Sequence, residues 1–164
     1  MDITYRKATI ADVDILIKLR FDYLADDKGR SLKASEQMAI AAQLRDYIPR
    51  EIGNKFLAYI AELDNAVIST VYLAVAEKPA NTSFITGKTA TVLNVFTCPN
   101  YRKKGIATHL LKMMIEDARA MQISCLDLSA SESGKPLYEK LGFTCVENTK
   151  YTEMKLRLIE MEKK

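Results

Sequence analysis

The stretch Thr97-Cys98-Pro99-Asn100-Tyr101-Arg102-Lys103-Lys104-Gly105-Ile106-Ala107 joins two runs of different periodicity. Before it, Ala90 to Phe96 is apolar and strand-like. After it, Ile106, Leu110, Met113, Met114 and Ala118 recur at helical spacing and predict a helix from Gly105 to about Met121. A helix N-terminus leaves its first N–H groups unpaired and carries roughly half a positive charge. Arg102, Lys103 and Lys104 add cations there, and Gly105 lets the backbone close on an anion. The junction reads as a phosphate receptor; the plainer reading is a solvated basic turn opening an ordinary helix. The dinucleotide string Gly-x-Gly-x-x-Gly and the nucleotide string Gly-x-x-x-x-Gly-Lys-Ser/Thr do not occur in it.

Downstream stands Leu137-Tyr138-Glu139-Lys140-Leu141-Gly142-Phe143, a short helix that Gly142 is placed to stop. Glycine just past a helix end supplies the left-handed conformation at little cost. The spacing Arg-x-x-Gly-x-Ala resembles the pyrophosphate loop of the GNAT superfamily of N-acetyltransferases. Leu137 to Phe143 resembles the Leu-Tyr-x-Lys-x-Gly-Phe signature that closes the cofactor site in that family. The two motifs are separated by one helix and one strand, as in the family, and together they outweigh the reading as a basic turn.

Outward from these motifs, the rest of the chain reads as one domain, 1–164. Ile3 to Lys7 alternates like a half-buried strand, and Thr9 to Asp12 reads as a capping box. Val13, Leu16, Ile17, Phe21 and Leu24 share one helix face, which ends at Asp26-Asp27-Lys28-Gly29. A second helix from about Ser35 to Ile52 places Met38, Ala41, Arg45, Ile48 and Ile52 in register, with Pro49 expected to kink or shorten it. Phe56 to Leu63 and Val67 to Ala76 form a hairpin around Asp64-Asn65. Glu77 to Lys88 reads as a loop. Ile123 to Ala130, Phe143 to Val146 and Tyr151 to Leu158 are the remaining expected strands, and Pro136 suits the first turn of the short helix. The expectation is an α/β (α+β) fold: a mixed sheet of about seven strands with helices on both faces, in the order β-α-α-β-β-β-α-β-α-β-β.

Composition narrows the function classes. The formal net charge of +3 on 164 residues argues against a dedicated nucleic-acid binder, and Glu162-Lys163-Lys164 is too short for a basic arm. No apolar stretch approaches the ~20 residues of a membrane span, and Met1 to Lys7 lacks the apolar core of a signal peptide. Cys98, Cys125 and Cys145 have no Cys-x-x-Cys spacing and read as reduced packing residues, which suggests the cytoplasm. His109, alone of its kind, reads as an ordinary helix residue rather than a catalyst or metal ligand.

The resemblance implies acetyl transfer from acetyl-CoA to a primary amine of a small molecule or peptide, by direct attack in a ternary complex. It implies pyrophosphate binding by Arg102, Lys103, Lys104, Gly105, Ile106, Ala107 and Thr108, and pantetheine pairing with the backbone of Val95, Phe96 and Thr97. Ser131 stands where many relatives carry a CoA-contacting asparagine, and Gly134 where alanine is common. Tyr138 matches the tyrosine that protonates the departing thiolate; the alternative is a tyrosine that only packs over the cofactor. Where many relatives place a glutamate, Thr89 to Phe96 holds no carboxylate. Asn94 there cannot accept a proton, though it can orient a water or the amine. Asp22, Asp26 and Glu36 from the first two helices are alternative bases, as is a water chain. The acidic cluster Asp22, Asp26 and Asp27 beside Tyr23 suits a cationic amine, or is a solvated helix end. No nucleic-acid or membrane partner is expected, and a homodimer stays open. A CoA-binding regulatory module without catalysis is the rival reading.

Overall fold

The computed structural model describes residues 1–147 and 150–159. The strands are β1 (Thr4–Lys7), β2 (Phe56–Leu63), β3 (Ala66–Glu77), β4 (Lys88–Thr97) and β5 (Cys125–Asp127). The helices are α1 (Val13–Lys28), α2 (Ala34–Glu51), α3 (Ile106–Ala120) and α4 (Lys135–Lys140). The chain divides into two compact units, Met1–Ala130 with the whole sheet and α1 to α3, and the part from Ser131 onward with α4.

The sheet order is β1-β2-β3-β4-β5. The first three pairings are antiparallel and the last is parallel. That last pairing is parallel because α3 carries the chain back between β4 and β5. At the β2–β3 turn, Asp64 and Asn65 have φ of 50° and 62°, the left-handed pair a two-residue hairpin requires and these residue types tolerate. Alternation along β2 then sorts the two faces. Phe56, Ala58 and Ile60 pack with Tyr72 of β3, Leu16 and Ile17 of α1, and Ile48 of α2. Tyr59 points the other way, and its hydroxyl donates to Asp117 of α3 at 2.8 Å. Leu110, Leu111 and Met114 bury α3 on that face. Helices therefore cover both faces, as expected.

A partly buried ion-pair cluster fixes the chain entry into α1. Arg6 of β1 holds Asp12 through Nη1–Oδ2 at 2.8 Å and Nη2–Oδ1 at 2.9 Å, and reaches Glu62 of β2 through Nη2–Oε1 at 2.8 Å. Asp12 also accepts from the Thr9 N–H at 2.7 Å, while Thr9 Oγ1 accepts from Ala11 N–H at 3.3 Å, the expected capping arrangement. The Arg6 hydrogen bonds hold the Asp12 carboxyl below its usual 3.8, against the opposing effect of burial. A lowered folded pKa means the stabilisation is complete well above the usual value of 3.8 and is lost as pH falls through the folded pKa. Asp12→Asn should therefore cost about 2 kcal/mol at neutral pH, discounted for the partial exposure of Arg6. Urea titrations should show that difference shrinking below pH 3.8.

Several expectations are corrected. Among the described residues the sheet has five strands, not seven. The order agrees through α4, but Phe143 to Val146 and Tyr151 to Leu158 form no strand. Val146, Tyr151, Met154, Leu156 and Leu158 stand exposed. Side-chain alternation specifies a face, yet a strand also needs a neighbour for its N–H and C=O groups. The strand expected from Ile123 to Ala130 contracts to β5 for the same reason. In α2, Met38 is exposed and the packing face is Ala41, Leu44, Tyr47 and Ile48. Pro49 does not shorten that helix. It lies in the last turn, where few bonds remain to lose, and Ile52 N–H still reaches Ile48 O at 2.9 Å. Cys125 and Cys145 are exposed rather than packed, Cys125 because β5 is an edge strand. Glu162-Lys163-Lys164 lies outside the described residues.

Candidate active site

The site begins with an irregularity in β4. Thr70 of β3 faces Phe96, but Tyr72 faces Leu93, so Asn94 and Val95 together oppose Val71. This is a β-bulge, and Asn94 takes the left-handed conformation it needs, with φ of 51°. Asn94 is 1% exposed. Its Nδ2 donates to Thr70 Oγ1 at 3.0 Å, its Oδ1 accepts from Arg20 Nη1 of α1 at 3.3 Å, and its carbonyl accepts from Thr70 Oγ1 at 3.2 Å. The side chain thus holds the bulge together and is too enclosed to orient an incoming amine.

β5 pairs with β4 only at Thr89, Ala90 and Thr91. Among the described residues, Val95, Phe96 and Thr97 therefore have no ladder partner on that edge. A peptide-like arm can add there as an extra strand would, through main-chain hydrogen bonds. Their other edge is tied to β3, where Ser69 Oγ donates to Phe96 O at 2.9 Å. Because that bond uses the serine proton, the 2.8 Å contact between Ser69 Oγ and Thr97 Oγ1 is donated by Thr97.

Past β4, a single 3-10 turn at Pro99–Tyr101 leads to Lys103 with φ of 60° and Gly105 with φ of 78°. Left-handed residues interspersed in a turn aim N–H groups into one concavity, an arrangement suited to anions. α3 starts at Ile106 with no side-chain cap bond, so the N–H groups of Ile106, Ala107 and Thr108 lack intrahelical acceptors. Arg102 is the clamp of this loop. Its Nε donates to Thr97 O at 2.8 Å, its Nη2 pairs with Asp26 at 3.1 Å, and its guanidinium lies 5.6 Å from the Phe96 ring centre. Lys103 and Lys104 have no carboxylate partner among the described residues, which leaves their charge for a ligand.

The carboxylates considered as bases are all engaged. Asp22 pairs with Lys18 at 2.6 Å and Asp26 with Arg102. Arg30 and the Lys33 N–H hold the Glu36 carboxyl down to about 2, which makes it a poor base at neutral pH. The acidic end of α1 is thus largely neutralised by neighbouring cations. Burial raises the Cys98 thiol pKa, away from thiolate chemistry.

The second unit carries Ser131 and Tyr138. Ser131 Oγ accepts from Gly134 N–H at 3.1 Å and so organises the turn into α4. A side chain on Gly134 would place its Cβ 3.2 Å from Ser131 Oγ and 3.4 Å from the Tyr138 ring, so those neighbours would have to give slightly to admit one. α4 closes in the arrangement expected of Gly142, whose φ is 96°. Gly142 N–H reaches Glu139 O at 3.1 Å and Phe143 N–H reaches Tyr138 O at 3.1 Å, the two bonds of a Schellman motif. The rings of Tyr138 and Phe143 meet edge to face, 5.9 Å between centres.

The sequence profile of the acetyltransferase (GNAT) family matches residues 21–143, spanning the bulged strand, the anion loop and the Tyr138 helix. The chain belongs to the GNAT acetyltransferase family. Acetyltransferases of this fold use acetyl-CoA. A predicted acetyltransferase from Clostridium acetobutylicum, solved with acetyl-CoA, is 27% identical, with a TM-score of 0.78 over 94% of this chain and 96% of that one. A GCN5-related N-acetyltransferase from Ralstonia eutropha JMP134 shares the fold at 22% identity and a TM-score of 0.76, over 93% and 98% of the two chains. Glucosamine-6-phosphate N-acetyltransferase from Arabidopsis thaliana shares it at 18% identity and a TM-score of 0.65, over 93% and 100%. No curated protein sequence matches this chain.

In this GNAT chain the residue that the motifs miss is Arg20. Its signal was present: Arg20 follows buried Leu16 by four positions and buried Ile17 by three, so it lies on the apolar face of α1. Among the described residues no cluster of His, Cys, Asp or Glu can hold a metal, and no helix is long and apolar enough to cross a membrane.

Proposed function

We propose that the protein is an acetyl-CoA-dependent N-acetyltransferase that moves the acetyl group to a primary amine of a small molecule or peptide by direct attack in a ternary complex. The observation that carries this reading is the anion loop. Lys103 and Gly105 are both left-handed at the uncapped start of α3, immediately after a β4 edge with no ladder partner. In this reading the loop from Arg102 to Thr108 takes the pyrophosphate and Val95 to Thr97 align the pantetheine arm. A neutral amine attacks the thioester carbonyl carbon, the tetrahedral adduct collapses, the C–S bond breaks, and the thiolate takes a proton from Tyr138. Since a thiol near ~8.5 receives a proton from a phenol near ~10, that transfer is uphill by roughly 2 kcal/mol unless the site assists. Neutralising an alkyl ammonium of pKa near ~10.4 at neutral pH costs roughly 4–5 kcal/mol, and with no carboxylate on β4 we assign that proton to water.

A CoA-binding module without catalysis is the second reading, favoured by the buried amide of Asn94 where a basic carboxylate would serve. Following CoA thiol release across a panel of primary amines separates the two. Amine-dependent release at saturating acetyl-CoA is the expected outcome. Tight CoA binding with no release from any amine would leave the module.

A further inference from the structure

Arg20 is a charge without a counter-charge. It projects from α1, half buried, with Nη1 3.3 Å from Asn94 Oδ1 and its guanidinium 5.6 Å from the Tyr23 ring centre. Among the described residues no carboxylate pairs with it. Of the acids on the same helix, Asp14 is taken by Arg45, Asp22 by Lys18 and Asp26 by Arg102, and Asp27 makes no ion pair with Arg20. A half-buried cation that meets a neutral amide and an aromatic ring has lost part of its hydration without recovering a full ionic partner. The amide takes one of the five N–H donors of a guanidinium. The rest of the planar fork suits an oxyanion, which it can grip through two parallel hydrogen bonds.

Location gives this charge its meaning. Asn94 is the bulge residue of β4, adjoining Val95 to Thr97, where the proposed function puts the pantetheine arm and the thioester at its end. We infer that Arg20 is a specificity residue that binds an oxyanion, carboxylate or phosphate, on the acceptor, so that the enzyme acetylates amines that also carry a negative group. This rests on the reading as an N-acetyltransferase and departs from the expectation of a purely cationic acceptor, because two of the three acids behind that expectation, Asp22 and Asp26, are already paired. The hydrogen bond to Asn94 also gives Arg20 a defined aim: Nη1 is anchored to the bulge, and the guanidinium is held by that bond and by the Tyr23 face.

The test pairs amines that differ in charge but little in size: alanine against alaninamide, and phosphoethanolamine against ethanolamine. With wild-type protein and acetyl-CoA, kcat/KM should favour the anionic member of at least one pair by more than ~10-fold, since a charge-assisted bidentate contact is worth more than about 1.4 kcal/mol. The pair that shows the preference tells carboxylate from phosphate. In Arg20→Gln, which keeps a donor for Asn94 without the charge, that preference should collapse toward unity, chiefly through KM of the anionic amine. Arg20→Lys should retain part of it. Equal kcat/KM within both pairs, or a preference that survives Arg20→Gln, overturns the inference while leaving acetyl transfer intact. A second readout does not depend on turnover. N-acetylalanine, added to the CoA-bound protein, should shift the Arg20 Nε–H resonance in NMR spectra where N-acetylalaninamide does not, and O-phosphoethanolamine serves as the phosphate probe. No shift from either anion overturns the inference even if amine turnover is found. A shift without any turnover keeps Arg20 as an oxyanion site and rejects the acetyltransferase reading, and with it the role in acceptor specificity.

Discussion

Gly105→Glu should lower the affinity for CoA by more than ~100-fold, about 2.7 kcal/mol, while leaving the far-ultraviolet circular dichroism unchanged. Two effects combine in this variant. Gly105 has φ of 78°, so any L side chain there is strained by roughly 1–2 kcal/mol. The carboxylate also stands among the N–H groups that the proposed site offers to a pyrophosphate, where like charges repel by several kcal/mol. Gly105→Ala separates the two. A Cβ at this position meets nothing within 4 Å, so alanine fits, and its backbone strain is present in both the free and the bound protein. Strain common to both states cancels in binding. Alanine should therefore lower the melting temperature while changing CoA affinity by less than about fivefold. Calorimetric titration of the two variants decides the matter, and an unchanged affinity in Gly105→Glu would remove the loop from the cofactor site.

Tyr138→Phe should lower turnover by about 10²-fold or more at saturating acetyl-CoA, with little change in acetyl-CoA affinity. The substitution isolates the hydroxyl. Phenylalanine keeps the edge-to-face contact with Phe143 and leaves the main-chain bond from Phe143 N–H to Tyr138 O in place. Loss of packing therefore contributes little to any rate effect. If the hydroxyl supplies the proton for the departing thiolate, the loss falls on kcat. Equal rates in single-turnover measurements would reduce Tyr138 to a ring that packs against its helix end.

What could be read directly from the chain was local. The hairpin at Asp64-Asn65, the Thr9–Asp12 cap, the left-handed Gly142 and the start of α3 after Gly105 each depend on the φ preferences or hydrogen-bonding reach of residues within a few positions. The same is true of the anion loop, whose cations and glycine are consecutive, and the family followed from that loop and the Tyr138 helix. The tertiary structure decided whatever depends on a partner far away in sequence. Arg20 meets Asn94 across 74 positions, and Asp26 meets Arg102 across 76. Those contacts made Asn94 the keystone of a bulge, and joined Asp26 at the acidic end of α1 to Arg102 as an ion pair. They also left Arg20 as the charge still to be matched. Strand formation followed the same rule: Met154, Leu156 and Leu158 alternate as well as any residues of β2, but alternation fixes only which face a side chain takes. A ladder exists only where a second backbone arrives to share its hydrogen bonds, and no local pattern encodes that arrival.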